Sequence, residues 1–189
     1  MKKIDFNKYR RLGAYHWDLY KKNGHYRKHV ARIKEWVEEK NVLDIGAGDG
    51  VITSYLKING IDNDIDAVRI AKEKEANVIL ASAYSIPYKD EEFESALMID
   101  VLEHMEYPEK ALQEARRVIK DYLYIATPPK NLIPGKIDKY HYQEWTSDEL
   151  KSLVENQGFN LEGEFLIVLN EKCIYGKFKK RPNNNISNE

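Results

Sequence analysis

The chain has 189 residues, 42% hydrophobic and 32% charged, with a formal net charge of −1. That suffices for one hydrophobic core and excludes the broad basic footprint of a nucleic-acid binder, so no nucleic-acid partner is expected. The lone Cys173 excludes an internal disulfide and fits a reducing, cytoplasmic setting, while no apolar run reaches membrane-spanning length and Met1–Asp5 lacks the apolar core of a secretion signal.

Residues 1–25 are polar and aromatic, with Phe6, Tyr9, Tyr15, His16, Trp17, Tyr20 and His25. They read as a cap that either packs the first helix onto a sheet or lies over a ligand as a lid. From Tyr26 to Lys40, Val30, Ile33 and Val37 make one helical face, which opens a single domain over residues 26–180. Val42-Leu43-Asp44-Ile45 is a short buried strand ending beside an acid, and it runs into Gly46-Ala47-Gly48-Asp49-Gly50. Glycines without Cβ atoms let a ligand lie against the backbone, and a helix from Val51 points its free N–H groups back at it. A dinucleotide fingerprint wants Gly-x-Gly-x-x-Gly, but its sixth position here is Val51 and the third glycine comes early, at Gly50. This argues against a pyrophosphate seat.

Ile58-Asn59-Gly60-Ile61-Asp62 is a second strand with an acid at its end, reached by a crossover helix of barely two turns. A carboxylate there can accept both hydroxyls of a ribose, and Asp64 or Asp66 is better placed to cap the next helix, leaving Asp62 to a ligand. Ala67, Val68, Ile70 and Ala71 face that helix inward, and Asn77–Ala81 is a third strand leading to Ser82-Ala83. Phe93–Ile99 is a fourth strand, followed by Asp100-Val101-Leu102-Glu103-His104. Pro108 starts a helix whose buried stripe is Leu112, Ala115, Val118 and Ile119. Tyr122–Ala126 is a fifth strand, stopped by Thr127-Pro128-Pro129 because proline cannot donate to a central ladder. After the Asn131–Tyr140 connection comes His141-Tyr142-Gln143-Glu144-Trp145-Thr146, where Thr146 and Glu149 form a capping box and Gly158 ends the helix. Phe165–Leu169 and Ile174–Phe178 suit a closing hairpin, and Arg181–Glu189 is too polar to order itself.

Asp44 with the Gly46–Gly50 turn resembles the first motif of the class I S-adenosylmethionine-dependent methyltransferases. Asp-Val-Leu-Glu-His, the charged helix, Thr-Pro-Pro and the His141–Thr146 run are similar to the small-molecule methyltransferases that include ubiquinone-pathway O-methyltransferases. The resemblance implies a Rossmann-like, doubly wound, mostly parallel seven-stranded sheet with an antiparallel last strand and helices on both faces. It also implies S-adenosylmethionine as cofactor, with Asp44 at its amino group, Gly46–Gly48 at its amino-acid portion and Asp62 at its ribose. Ser82 and Ala83 fall at the adenine, where the family commonly has Asp-Ala, and Arg27 is placed where relatives meet the carboxylate. Ala47, Gly50, Asn63 and Ile99 complete the expected cofactor set.

The implied reaction is in-line methyl transfer to a small-molecule acceptor, expected to be an O-methylation, with release of S-adenosylhomocysteine. It depends mainly on holding the nucleophile near the methyl group. A base helps when the nucleophile is a hydroxyl, and His104 and His141 are the candidates. Asp100, Glu103 and His104, at i, i+3 and i+4, have spacing suited to a divalent ion, yet supporting structure is the commoner role and no metal is expected. The rival readings are an inactive methyltransferase-like scaffold subunit and a nicotinamide oxidoreductase, the latter disfavoured by the glycine spacing.

Overall fold

The computed structural model describes residues 6–130 and 137–182. Strand β1 (Val42–Ile45) is buried along its whole length, as a strand covered on both faces must be. It lies between β2 (Asn59–Asp62) and β4 (Phe93–Ile99), parallel to both. β3 (Val78–Leu80) continues the sheet beyond β2, and β5 (Ile119–Thr127) beyond β4, again in parallel. β8 (Cys173–Lys180) then runs antiparallel to β5, as expected of the last strand.

Among the described residues, eight strands occupy seven positions, where the sequence suggests seven strands. β6 (Phe159–Leu161) and β7 (Leu166–Val168) pair with successive parts of one edge of β8, at Phe178–Lys180 and Cys173–Tyr175. β6 is the unforeseen one, since three residues are too few for an alternating pattern to show.

Alternation along the strands divides the core. Val42, Leu97 and Tyr124 pack with α3 (Gly24–Trp36) and α4 (Val51–Leu56), whereas Leu43, Met98 and Leu123 pack with α6 (Pro108–Val118) and α7 (Ser147–Glu155). Caps fix the helix starts. Asp64 accepts from Asp66 N–H and Ala67 N–H at the start of α5 (Ile65–Glu73), Pro108 is the first residue of α6, and Thr146 with Glu149 closes a reciprocal box at α7. α4 has six residues, the short crossover anticipated.

The first long helix departs from expectation at both ends. It begins at Gly24, because Asn23 accepts from His25 N–H and Tyr26 N–H, and it stops at Trp36 rather than Lys40. Val37 is extended, and the chain beyond it brings the Glu39 carboxylate to Ser95 Oγ (3.1 Å) and Tyr124 Oη (3.3 Å). Ahead of α3, the aromatic segment forms two short helices, α1 (Lys8–Leu12) and α2 (Tyr15–Lys22). Most of the Arg181–Glu189 tail and residues 131–136 of the long connection lie outside the described residues.

From β1 the chain proceeds to β2 and β3 on one side, and from β4 to β5 on the other. The carboxyl ends of β1 and β4 therefore flank the point where strand order reverses, which is where open sheets of this kind bind ligands.

Candidate active site

A cavity of about 1210 Å³ opens at these strand ends. Its wall includes Asp44 and Gly46–Gly48 after β1, Asp62 and Asn63 after β2, Ser82 and Ala83 after β3, and Ile99 at the end of β4. Glu103, His104 and His141 line it too, so most of the residues picked out in the sequence face one space. Gly50 and Arg27 do not. Gly50 is in the left-handed region at the start of α4, and a Cβ there would collide with Ala76 and Ala71, so its job is close packing. The Arg27 guanidinium donates to the carbonyls of Tyr20 (3.1 Å) and Lys21 (2.9 Å), closing the end of α2 rather than reaching the cavity.

The glycine turn is held from behind. Gly46 N–H and Ala47 N–H both donate to Ile61 O at 2.9 Å, tying the turn to β2. Gly48 N–H donates to Asp62 Oδ2 at 2.7 Å, while Asp62 Oδ1 accepts from Asp64 N–H at 2.8 Å. Asp62 is therefore less free than the sequence suggests, because each oxygen already holds a backbone N–H. A carboxylate offers about four lone-pair positions, so two remain for a ligand. Asp44 accepts from Thr53 Oγ1 at 2.7 Å. Burial pushes Asp44 up to about 7 and Asp62 up to about 6, the hydrogen bonds opposing that rise only in part. Ser82 Oγ accepts from Tyr84 N–H (3.1 Å), so its hydroxyl first serves its own turn.

The N-terminal helices lie over this turn. Tyr9 is buried against Gly48, where any Cβ would strike its hydroxyl, and Gly48 has φ 56°, so the position requires glycine twice over. Asp49, fully buried, fastens α2: it accepts from His16 N–H (3.0 Å) through its carboxylate and from Trp17 Nε1–H (2.7 Å) through its carbonyl. Sequence reasoning missed Asp49 as an anchor, although a lone acid inside a glycine turn was the available signal.

On the opposite wall stands a corner of three residues. Glu103 is buried, and its Oε2 accepts from Thr127 Oγ1 at 3.0 Å. His104 Nδ1 is 2.9 Å from the carbonyl of Tyr140, which requires the proton on Nδ1 and leaves Nε2 as a lone-pair donor. His141 Nδ1 lies 2.7 Å from Glu144 Oε1. Donor atoms of Glu103, His104 and His141 all fall within 4.8 Å of one another. Asp100, grouped with Glu103 and His104 by spacing, turns away, its carboxylate 3.6 Å from His29 Nε2. Burial pushes His104 down to about 4, so its ring is neutral at ordinary pH.

Residues 43–125 match the family described as a methyltransferase domain. A solved S-adenosylmethionine-dependent methyltransferase from Thermotoga maritima superposes with a TM-score of 0.78 at 21% identity, covering 94% of this chain and 100% of that one. A tRNA (carboxymethyluridine(34)-5-O)-methyltransferase from Arabidopsis thaliana is 33% identical over 88 residues, 42% of this chain and 21% of the relative. The mitochondrial ubiquinone biosynthesis O-methyltransferase of Candida albicans is 27% identical over 171 residues, 71% of this chain and 50% of the relative. The chain thus spans half or less of the length of these curated relatives.

Proposed function

Taking as premise that this chain is built on the class I S-adenosylmethionine-dependent methyltransferase fold, we propose that it methylates a small-molecule acceptor, at oxygen, with S-adenosylmethionine as cofactor. The observation that carries this reading is the convergence of the glycine turn, Asp44, Asp62 and the Glu103–His104–His141 corner on one cavity. The residues present fit the cofactor. A backbone turn without side chains, two desolvated carboxylates and a backbone at Ser82-Ala83 suit a cationic amino acid, a ribose and an adenine in that order. When bound, the cofactor supplies a methyl group already activated by its sulfonium.

What the chain contributes is position and exclusion. Asp44 offers a carboxylate stripped of water to an ammonium group, and Asp62 offers its remaining acceptor sites to paired hydroxyls. Tyr9, Tyr15 and His16 close the turn from solvent, which strengthens those contacts. Across the cavity, His104 Nε2 accepts a hydrogen bond from the acceptor's hydroxyl and so aims the oxygen. Of the two histidines, His141 is the one whose ring a carboxylate orients, with Glu144 Oε1 2.7 Å from its Nδ1.

Charge supports a small acceptor over a nucleic acid. Among the described residues, eleven Asp and Glu line the cavity against three Lys and Arg, a lining that repels a phosphate backbone. The test has two stages. S-Adenosylhomocysteine should raise the melting temperature where NAD does not. A screen of sugars, phenols, small carboxylates and tRNA should then release S-adenosylhomocysteine with a small acceptor. Faster turnover with tRNA would overturn the small-molecule reading, and stabilisation by NAD alone would overturn the cofactor.

A further inference from the structure

Arg32, Glu171, Tyr175 and His29 form a hydrogen-bonded chain beside the cavity, and it ends on an atom with nothing to bind. Arg32 donates twice to Glu171, at 3.0 and 2.9 Å, and Glu171 Oε2 also accepts from the Tyr175 hydroxyl at 2.5 Å. Burial pushes that hydroxyl far above the ordinary phenol range, so Tyr175 keeps the proton it donates. With the proton spent, Tyr175 Oη can only accept at His29 Nδ1, 2.6 Å away. A neutral His29 ring therefore carries its proton on Nδ1 and a lone pair on Nε2.

His29 is 4% exposed, and its Nε2 has no hydrogen-bond partner. The group it faces, 3.6 Å away, is the Asp100 carboxylate, itself an acceptor. Two acceptors face to face call for a donor between them, and a buried nitrogen left unpaired is costly until one arrives. A single nitrogen can reach both, because 3.6 Å is less than twice the usual hydrogen-bond length of about 2.9 Å. Asp100 lines the cavity and is partly exposed, so the donor enters from the cavity side.

We propose that His29 Nε2 and Asp100 form a subsite for a primary ammonium group on the acceptor, which makes the substrate class an amine-bearing hydroxyl compound. This rests on the small-molecule O-methyltransferase reading and deepens it. Two further observations agree. Asp100 is held at φ 53°, a strained backbone pinned by its N–H to Ala126 O at 2.7 Å, and this aims its side chain at His29. Among the described residues, no lysine or arginine pairs with the Asp100 carboxylate, and the acidic lining that repels phosphate draws a cation in. An acceptor tethered at one end by a charge-assisted hydrogen bond presents its hydroxyl in a fixed direction.

The test uses full-length protein saturated with S-adenosylhomocysteine at neutral pH. The probes are tyramine, 4-propylphenol and 3-(4-hydroxyphenyl)propionate, phenols whose chains end in an ammonium, a methyl and a carboxylate. Calorimetry should show tyramine binding about tenfold or more tightly than either relative, the worth of a hydrogen bond to a charged group. In protein with ¹⁵N-labelled histidine, His29 should show the Nδ1–H tautomer when free, and tyramine alone should move its Nε2 resonance. Asp100→Asn should erase the preference for tyramine, the loss falling on tyramine and not on S-adenosylhomocysteine. His29→Gln should reduce the preference, and Tyr175→Phe, which frees the tautomer, should reduce it too. Asp18→Asn, at an exposed carboxylate, should not. Urea unfolding separates lost binding from lost fold, and if His29→Gln does not fold, Tyr175→Phe and the resonance carry the test. Equal affinity for the three phenols, no binding of any, or a His29 ring protonated on both nitrogens in the free protein overturns the subsite. So does an Asp100→Asn loss that falls on S-adenosylhomocysteine, which would make this the seat of the cofactor's own ammonium. S-Adenosylhomocysteine binding to the native protein is read first: its absence counts against the methyltransferase reading, and its presence without a tyramine preference counts against the subsite alone.

Discussion

Asp62 ties together two backbone amides that sequence alone assigns to no one. Its carboxylate receives Gly48 N–H and Asp64 N–H, so it shapes the turn as well as facing the cavity. Asp62→Ala should weaken S-adenosylhomocysteine binding by about 1–3 kcal/mol in calorimetry, the cost of hydrogen bonds to a charged group. Unchanged affinity would make Asp62 a turn clasp and nothing more. Asp44 and Asp62 also set a pH dependence. Burial raises both above their unfolded values, to about 7 and about 6, so the native state holds more protons than the unfolded chain between those limits. Their contribution to stability is then greatest at acid pH and is lost as pH rises from about 4 through 7. For these two groups, the ligand-free protein should melt at a lower temperature at pH 8 than at pH 5 in scanning calorimetry. Asp44→Asn, which cannot ionise, should flatten that decline.

At the scale of elements, local chemistry decides boundaries. Thr146→Ala removes the acceptor for Glu149 N–H at the start of α7 and should cost about 1 kcal/mol in urea unfolding, with no change in cofactor affinity. A loss of affinity would mean that α7 positions the cavity through the segment that carries His141. Elements with a strong local signal were legible in the sequence. β4 runs from Phe93 to Ile99 as read, because seven mostly apolar residues between polar flanks leave little choice, and α6 starts at Pro108 because its ring suits only a first turn. Features decided at a distance were not. Arg27 has a plausible spacing from the glycine turn, yet nothing local reveals that the carbonyls ending α2 take its guanidinium. Glu103 and His104 are adjacent and visible together. His141 joins them because Tyr142 N–H donates to Glu103 O at 2.8 Å, a bond between segments far apart in the chain. Spacing offered Asp100 as the third member, and its left-handed backbone, φ 53°, turns it toward His29 instead.

On the scale of the whole molecule, one cavity takes in both the glycine turn and the histidine corner, and two distant parts of the chain meet beside it. Phe6, ahead of α1, rests edge-on against His104 (5.0 Å between ring centres) and Tyr140 (5.7 Å). Lys8 Nζ sits 4.9 Å from the centre of the Tyr140 ring. These contacts form a seam of aromatic and cation–π pairs, each worth about 0.5–1.5 kcal/mol, strong enough to stay shut and weak enough to part. Passage through such a seam, rather than the making and breaking of bonds, is predicted to set the ceiling on turnover. Thickening the solvent with sucrose should therefore lower kcat nearly in proportion to viscosity. Phe6→Ala should relieve that dependence, whereas a kcat indifferent to viscosity in the native protein would return the limit to the chemical step.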